Sequence, residues 1–202
     1  MINITSLKKT MGTFKLAVEK MEIKQPGIYG LIGPNGCGKS TLAKILCGII
    51  LPDSGNLVIS LNNKEITMVT QKPYIMDDTV MNNLIYPLQL RGIKNHKTLC
   101  YEHLGKAGLL EKKNQNAREL SGGEKQKLAL LRCMIFNPRL IILDEAMTDL
   151  DFENLKYFEE MILERQRQNP VIWIIISHQL PHIKRLCDYV FFMNNGNINY
   201  EK

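Results

Sequence analysis

One stretch constrains this chain more than any other: Gly33-Pro34-Asn35-Gly36-Cys37-Gly38-Lys39-Ser40-Thr41. Its G-x-x-x-x-G-K-[ST] spacing follows a short apolar run, Gly27 to Ile32, and opens a helical pattern over Lys39 to Cys47 that Gly48 ends. A strand feeding a helix through a glycine loop converges backbone N–H groups on one point, where the helix macrodipole adds to their pull on an anion. The stretch is therefore expected to cradle phosphate. Lys39 would reach the β- and γ-phosphates of a nucleotide such as ATP, Ser40 would offer a hydroxyl to Mg²⁺, and Thr41 would reach the α-phosphate. Cys37 leaves two readings open: a thiolate made reactive by the loop amides and Lys39, or a packed side chain whose backbone alone faces the ligand.

The surrounding pattern says what kind of fold holds this loop. Glu65 to Thr70, Arg139 to Leu143, Val171 to Ile176 and Tyr189 to Met193 are rich in Ile, Val and Leu, as strands buried on both faces of a parallel sheet are. Ile2 to Ile23 reads as strands of an antiparallel edge. Between Asp78 and Lys113 the pattern turns helical, with Pro87 and Gly92 as breaks. The expectation is an α/β fold: a core with a mostly parallel sheet from residues 1–72 and 120–202, and a small helical subdomain over 73–119. A chain of 202 residues with 45% hydrophobic composition is long enough for one such domain.

Composition removes other classes. The longest apolar run, Val171 to Ile176, is far short of the roughly 18 residues of a membrane helix, and Met1 to Thr10 has no apolar leader. The chain is expected neither to span a membrane nor to be exported. Five cysteines, an odd number without a C-x-x-C pair, suggest neither a zinc site nor a disulfide framework, and fit a reducing cytoplasm. A net charge of +6 is spread thinly, and clusters such as Lys112-Lys113 are too short for a nucleic-acid stripe. No nucleic-acid partner is expected.

Two further strings carry chemistry. Ile141-Ile142-Leu143-Asp144-Glu145 is an apolar strand ending in two carboxylates, costly to bury without a cation or a proton-transfer task. Asp144 would hold the Mg²⁺ shell and Glu145 would orient and deprotonate an attacking water. Leu120-Ser121-Gly122-Gly123-Glu124 reads as a helix start with Ser121 as N-cap and Glu124 completing a capping box, and two glycines there also make a second phosphate cradle.

With these strings in this order the chain resembles the ATP-binding cassette family, whose signature is the Leu120 to Glu124 string. The fold the resemblance implies is the P-loop NTPase core. It also implies that Ser121, Gly122 and Gly123 serve the ATP of a second ATPase subunit in a head-to-tail dimer. Gln71 resembles the Q-loop glutamine that touches Mg²⁺ and senses the transmembrane subunit; by itself it reads as a strand-end surface residue. His178, after Ile174-Ile175-Ile176-Ser177, resembles the switch histidine that contacts the γ-phosphate and holds the water with Glu145. His96, His103 and His182 read as structural or solvated.

Some positions depart from the family pattern. Where an aromatic residue normally stacks on adenine, spacing places Met11, with Phe14 three residues later. Asp151 of the D-loop is kept, whereas Asp149 is an added carboxylate beside it. The expectation is an ATP-hydrolysing subunit at the cytoplasmic face of the membrane, without a carboxy-terminal regulatory domain. Its partners would be a second ATPase subunit, separate permease subunits and a solute-binding protein. Ile66 to Gly92 resembles the corresponding segment in ATPases of bacterial importers, particularly those for oxyanions such as tungstate. The alternatives are a non-transport ATPase of the family acting on nucleic acid or ribosomes, and a nucleotide-binding regulator without turnover.

Overall fold

The structure, a computed structural model, describes residues 1–201 other than Asn95, Asp149 and Gln179. Its centre is a six-stranded sheet in the order β5-β6-β7-β3-β8-β9. These strands are β3 (Gly27–Ile32), β5 (Ile66–Thr70), β6 (Leu140–Asp144), β7 (Ile172–Ile176), β8 (Tyr189–Asn194) and β9 (Asn197–Glu201). All pairings but β8 with β9 are parallel. Every residue of β3, β6 and β7 is buried, which is why these strands read as continuous apolar runs.

Alternation along each strand feeds two different cores. Leu140, Ile142, Ile172, Ile174 and Ile176 point into a cluster with Leu42, Ile45 and Leu46 of α1 (Lys39–Leu46). Ile141, Leu143, Trp173 and Ile175 point the other way, onto α4 (Gly122–Met134), α5 (Phe152–Gln168) and α6 (Leu180–Leu186). The antiparallel amino-terminal part is a hairpin of β1 (Ile2–Met11) and β2 (Phe14–Ile23) that adds β4 (Ser54–Ile59) to make a three-stranded sheet of its own. Ile2, Ile4, Leu7, Leu16 and Val18 on its inner face join the α1 cluster. Sequence reasoning did not single out β4 or β9; β4 is short and its residues are exposed or half-buried, which leaves no strong apolar signal.

The helical segment contains α2 (Val80–Leu90) and α3 (Lys97–Lys106). Pro87 does not break α2 as its residue type suggests; it lies within the helix. Buried Val80, Leu84, Ile85 and Leu88 hold that turn by tertiary packing, while Gly92 at φ +69° follows the helix end. The same cluster takes in Leu128, Leu131 and Ile135, so one face of α4 packs on the helical segment and another on the central sheet.

Candidate functional site

The phosphate loop runs from the end of β3 into α1, and close contacts require glycine at two of its positions. A Cβ on Gly33 would stand 2.0 Å from the Met193 carbonyl oxygen, and one on Gly38, at φ +113°, 2.9 Å from the Phe14 ring. The Lys39 ammonium, on a residue only 5% exposed, donates to the carbonyls of Gly33 at 2.8 Å and Pro34 at 3.0 Å. That places the charge inside the curl of the loop. Cys37 is 4% exposed and packs with the core cluster, its Sγ 4.0 Å from the Lys39 ammonium.

At the ends of neighbouring strands the carboxylates meet this loop. Ser40 Oγ donates to Asp144 Oδ1 at 3.1 Å. Burial pushes the Asp144 carboxyl above its ordinary range; the Ser40 hydrogen bond opposes this, the Glu145 charge adds to it, and Lys39 and Lys44 oppose it. A buried carboxylate oxygen beside a hydroxyl, both hard donors, fits Mg²⁺, which would relieve that burial cost.

Glu145 has the left-handed backbone conformation, φ +53°, which costs a non-glycine residue on the order of 1–3 kcal/mol. Its N–H donates to the Ile176 carbonyl at 3.0 Å and its own carbonyl accepts from Thr148 N–H at 3.3 Å. The turn aims the Glu145 side chain away from that of Asp144 and toward His178, whose Nδ1 lies 3.7 Å from Glu145 Oε2. His178 is reached directly from β7, which ends two residues before it at Ile176.

The phosphate loop, Asp144 and Glu145 line a cleft of about 830 Å³; His178, though close to Glu145, is not among the lining residues. Asn35, Gly36, Gly38, Lys39, Ser40 and Thr41 form its floor with Asp144, Glu145 and Gln71. Met11 and Phe14, which face each other across the hairpin end, form its far wall. Met11 is 46% exposed, and its sulfur accepts a weak hydrogen bond from the Thr41 hydroxyl at 3.8 Å. Lys44, Thr70 and Lys72 also line the cleft and were not anticipated. The signal for Lys44 was present, since it lies four residues after Ser40 on one helix face; Lys72 carries no comparable spacing.

Ser121, Gly122 and Gly123 are not among the lining residues. Ser121 caps α4: its Oγ accepts from Glu124 N–H at 3.3 Å while Glu124 Oε2 accepts from Ser121 N–H at 3.0 Å. The Lys112 ammonium, 2.6 Å from Glu124, holds that carboxyl below its usual range. A Cβ on Gly122 or Gly123 would meet nothing within 4 Å, so this helix start is an open surface. Asp151 caps α5 by accepting from Asn154 N–H at 2.9 Å. Asp149 lies outside the described residues, as does the side chain of His182.

Known proteins resemble this chain over most of its length. The family model for the ABC transporter matches residues 17–148. The tungstate uptake system ATP-binding protein TupC of Peptoclostridium acidaminophilum is 34% identical over 205 residues, covering 98% of this chain and 96% of that protein. The methionine import ATP-binding protein MetN of Clostridioides difficile (strain 630) is 31% identical over 98% of this chain and 67% of its own length. Among solved structures, the ATP-binding cassette MJ0796, in a dimeric post-hydrolysis state bound to ADP and Pi, superposes with a TM-score of 0.86. It is 21% identical and covers 100% of this chain and 98% of that one, a likeness of fold.

Proposed function

The chain belongs to the ABC transporter family, and from that premise we propose that it is the ATP-hydrolysing subunit of a bacterial importer. The observation that carries the reading is the single cleft in which Lys39, Ser40, Asp144 and Glu145 converge while Ser121–Gly123 stand open outside it. One half of a nucleotide site and the complementary half of another then lie on the same chain. Two subunits placed head to tail complete two sites.

In each site Gly33 to Thr41 binds the phosphates, Met11 or Phe14 contacts the adenine, and the partner's Ser121 to Gly123 closes over the γ-phosphate. Ser40, Asp144 and Gln71 would hold Mg²⁺, which would supply charge neutralisation at the phosphates. Glu145 takes the proton of the attacking water and His178 keeps that water and the γ-phosphate in line. Closing and opening of the pair is the two-state element that drives the permease.

No helix among the described residues is long and apolar enough to cross a membrane. Similarity to the ATP-binding proteins of uptake and import systems supports separate permease subunits, with this chain on their cytoplasmic face. A groove of about 740 Å³ between β5, α2 and α4 is the proposed seat for a cytoplasmic segment of the permease. It shares Thr70 with the nucleotide cleft, and its rim presents Tyr74 at 72% and Leu90 at 59% exposure. The helical segment 73–119 would move with that contact. For cargo, near full-length similarity to a tungstate uptake protein favours an oxyanion delivered by a solute-binding protein.

The test is ATP turnover by the complex with its permease in vesicles. Tungstate-loaded binding protein should stimulate it and methionine should not. Tyr74→Ala with Leu90→Ser should abolish that stimulation while leaving the turnover of the isolated chain intact.

A further inference from the structure

The helix that begins at the open Ser121–Gly123 surface is bonded to the loop that carries Glu145. Gln126 lies about 7.5 Å along α4 from Ser121, at the helical rise per residue. It shares a face with Ala129, Leu130 and Cys133, all buried against the central sheet. That periodicity calls for an apolar side chain at 126. A glutamine amide, only 6% exposed, is costly there unless it has a partner. Its partner is the carbonyl oxygen of Ala146, to which Gln126 Nε2 donates.

Ala146 directly follows Glu145, whose left-handed backbone needs outside support to persist. The Ile176 carbonyl anchors the loop on its sheet side through Glu145 N–H, and Gln126 anchors it from α4. Farther along the same helix Arg132 donates to the Tyr74 carbonyl at 2.5 Å, in the segment after Gln71. A single helix thus reaches the segments bearing both Glu145 and Gln71.

We propose that Gln126 is a positioning residue for Glu145, coupling the helix that engages the partner's nucleotide to the carboxylate of the subunit's own site. The proposal rests on the ATPase reading above. When docking on the partner shifts α4, the amide carries that shift to the Ala146 carbonyl and so to the turn that aims Glu145. Neither Gln126 nor Ala146 is among the residues that line the nucleotide cleft.

The test is Gln126→Met, which keeps the length of the side chain and removes the donor, measured for ATP affinity and for turnover separately. The expected result is unchanged ATP affinity, kcat at least 10-fold lower, and accumulation of an ATP-bound dimer. Wild-type kcat, or a loss of affinity matching the loss of kcat, would overturn the proposal. Should Gln126→Met fail to fold, Gln126→Asn decides by the same split, since it keeps the amide but shortens its reach by one methylene. Absence of turnover in the wild-type chain would instead remove the ATPase reading itself, which the variants alone cannot do.

Discussion

His178 Nδ1 stands 3.7 Å from Glu145 Oε2, across the ends of two adjacent parallel strands. Glu145 reaches it because its backbone turns left-handed directly after β6, separating its side chain from that of Asp144. Two successive carboxylates thereby acquire different surroundings, one beside Ser40 and one beside an imidazole.

If Glu145 activates the water, Glu145→Gln will bind ATP normally and lower turnover by about 10²-fold or more. Sedimentation should show an ATP-bound dimer that does not dissociate. Turnover within a few-fold of wild type would remove Glu145 from the role of base.

Ser121 and Lys39 should separate the two halves of the composite site. Lys39→Ala is expected to abolish nucleotide binding. Ser121→Arg should leave binding by the monomer intact and prevent ATP-driven dimerisation, because in the proposed pair the open helix start would face a second subunit. Nucleotide titration and light scattering on the two variants decide this; loss of monomer binding in Ser121→Arg would place the signature in the same site as Lys39.

Asp144→Asn should make the nucleotide-free protein more stable while eliminating Mg²⁺-dependent hydrolysis. Burial raises this carboxyl's pKa in the folded state, so its charge is a penalty that is present above the folded value and disappears as pH falls through it. Thermal melts without nucleotide should show the variant ahead by a few degrees at neutral pH, the gap closing in acid. A variant that melts below wild type at neutral pH would contradict this origin of the shift.

The thiols should be quiet in the native protein. Burial pushes the Cys47, Cys133 and Cys187 thiols up to about 12 and that of Cys100 to about 11. At pH 7 to 8 almost no thiolate is then available, and Cys37 is shielded by packing at 4% exposure. Maleimide should label none rapidly, and all five once the protein is unfolded. Rapid labelling of Cys37 that Mg-ATP slows would show instead that the loop exposes its thiol.

The sequence by itself determined the parts whose physics is local. Gly33 to Thr41 specifies a turn and a helix start within one short segment, and the apolar runs of β3, β6 and β7 announce strands buried on both faces. The Ser121–Glu124 capping box is likewise complete within one helical turn. Tertiary structure decided what depends on partners distant in sequence. Cys37 turns inward because β1, β2 and α1 enclose it, and β4 exists as a strand because β1 offers an edge to pair with. Met11 and Phe14 both line the cleft because hairpin register sets them opposite one another, which spacing along the chain cannot choose. Nothing local to Gln126 marks its role, because its acceptor, the Ala146 carbonyl, lies twenty positions away. A buried hydrogen bond has no signature in either partner's residue type alone; it exists only once the backbone brings donor and acceptor together away from water.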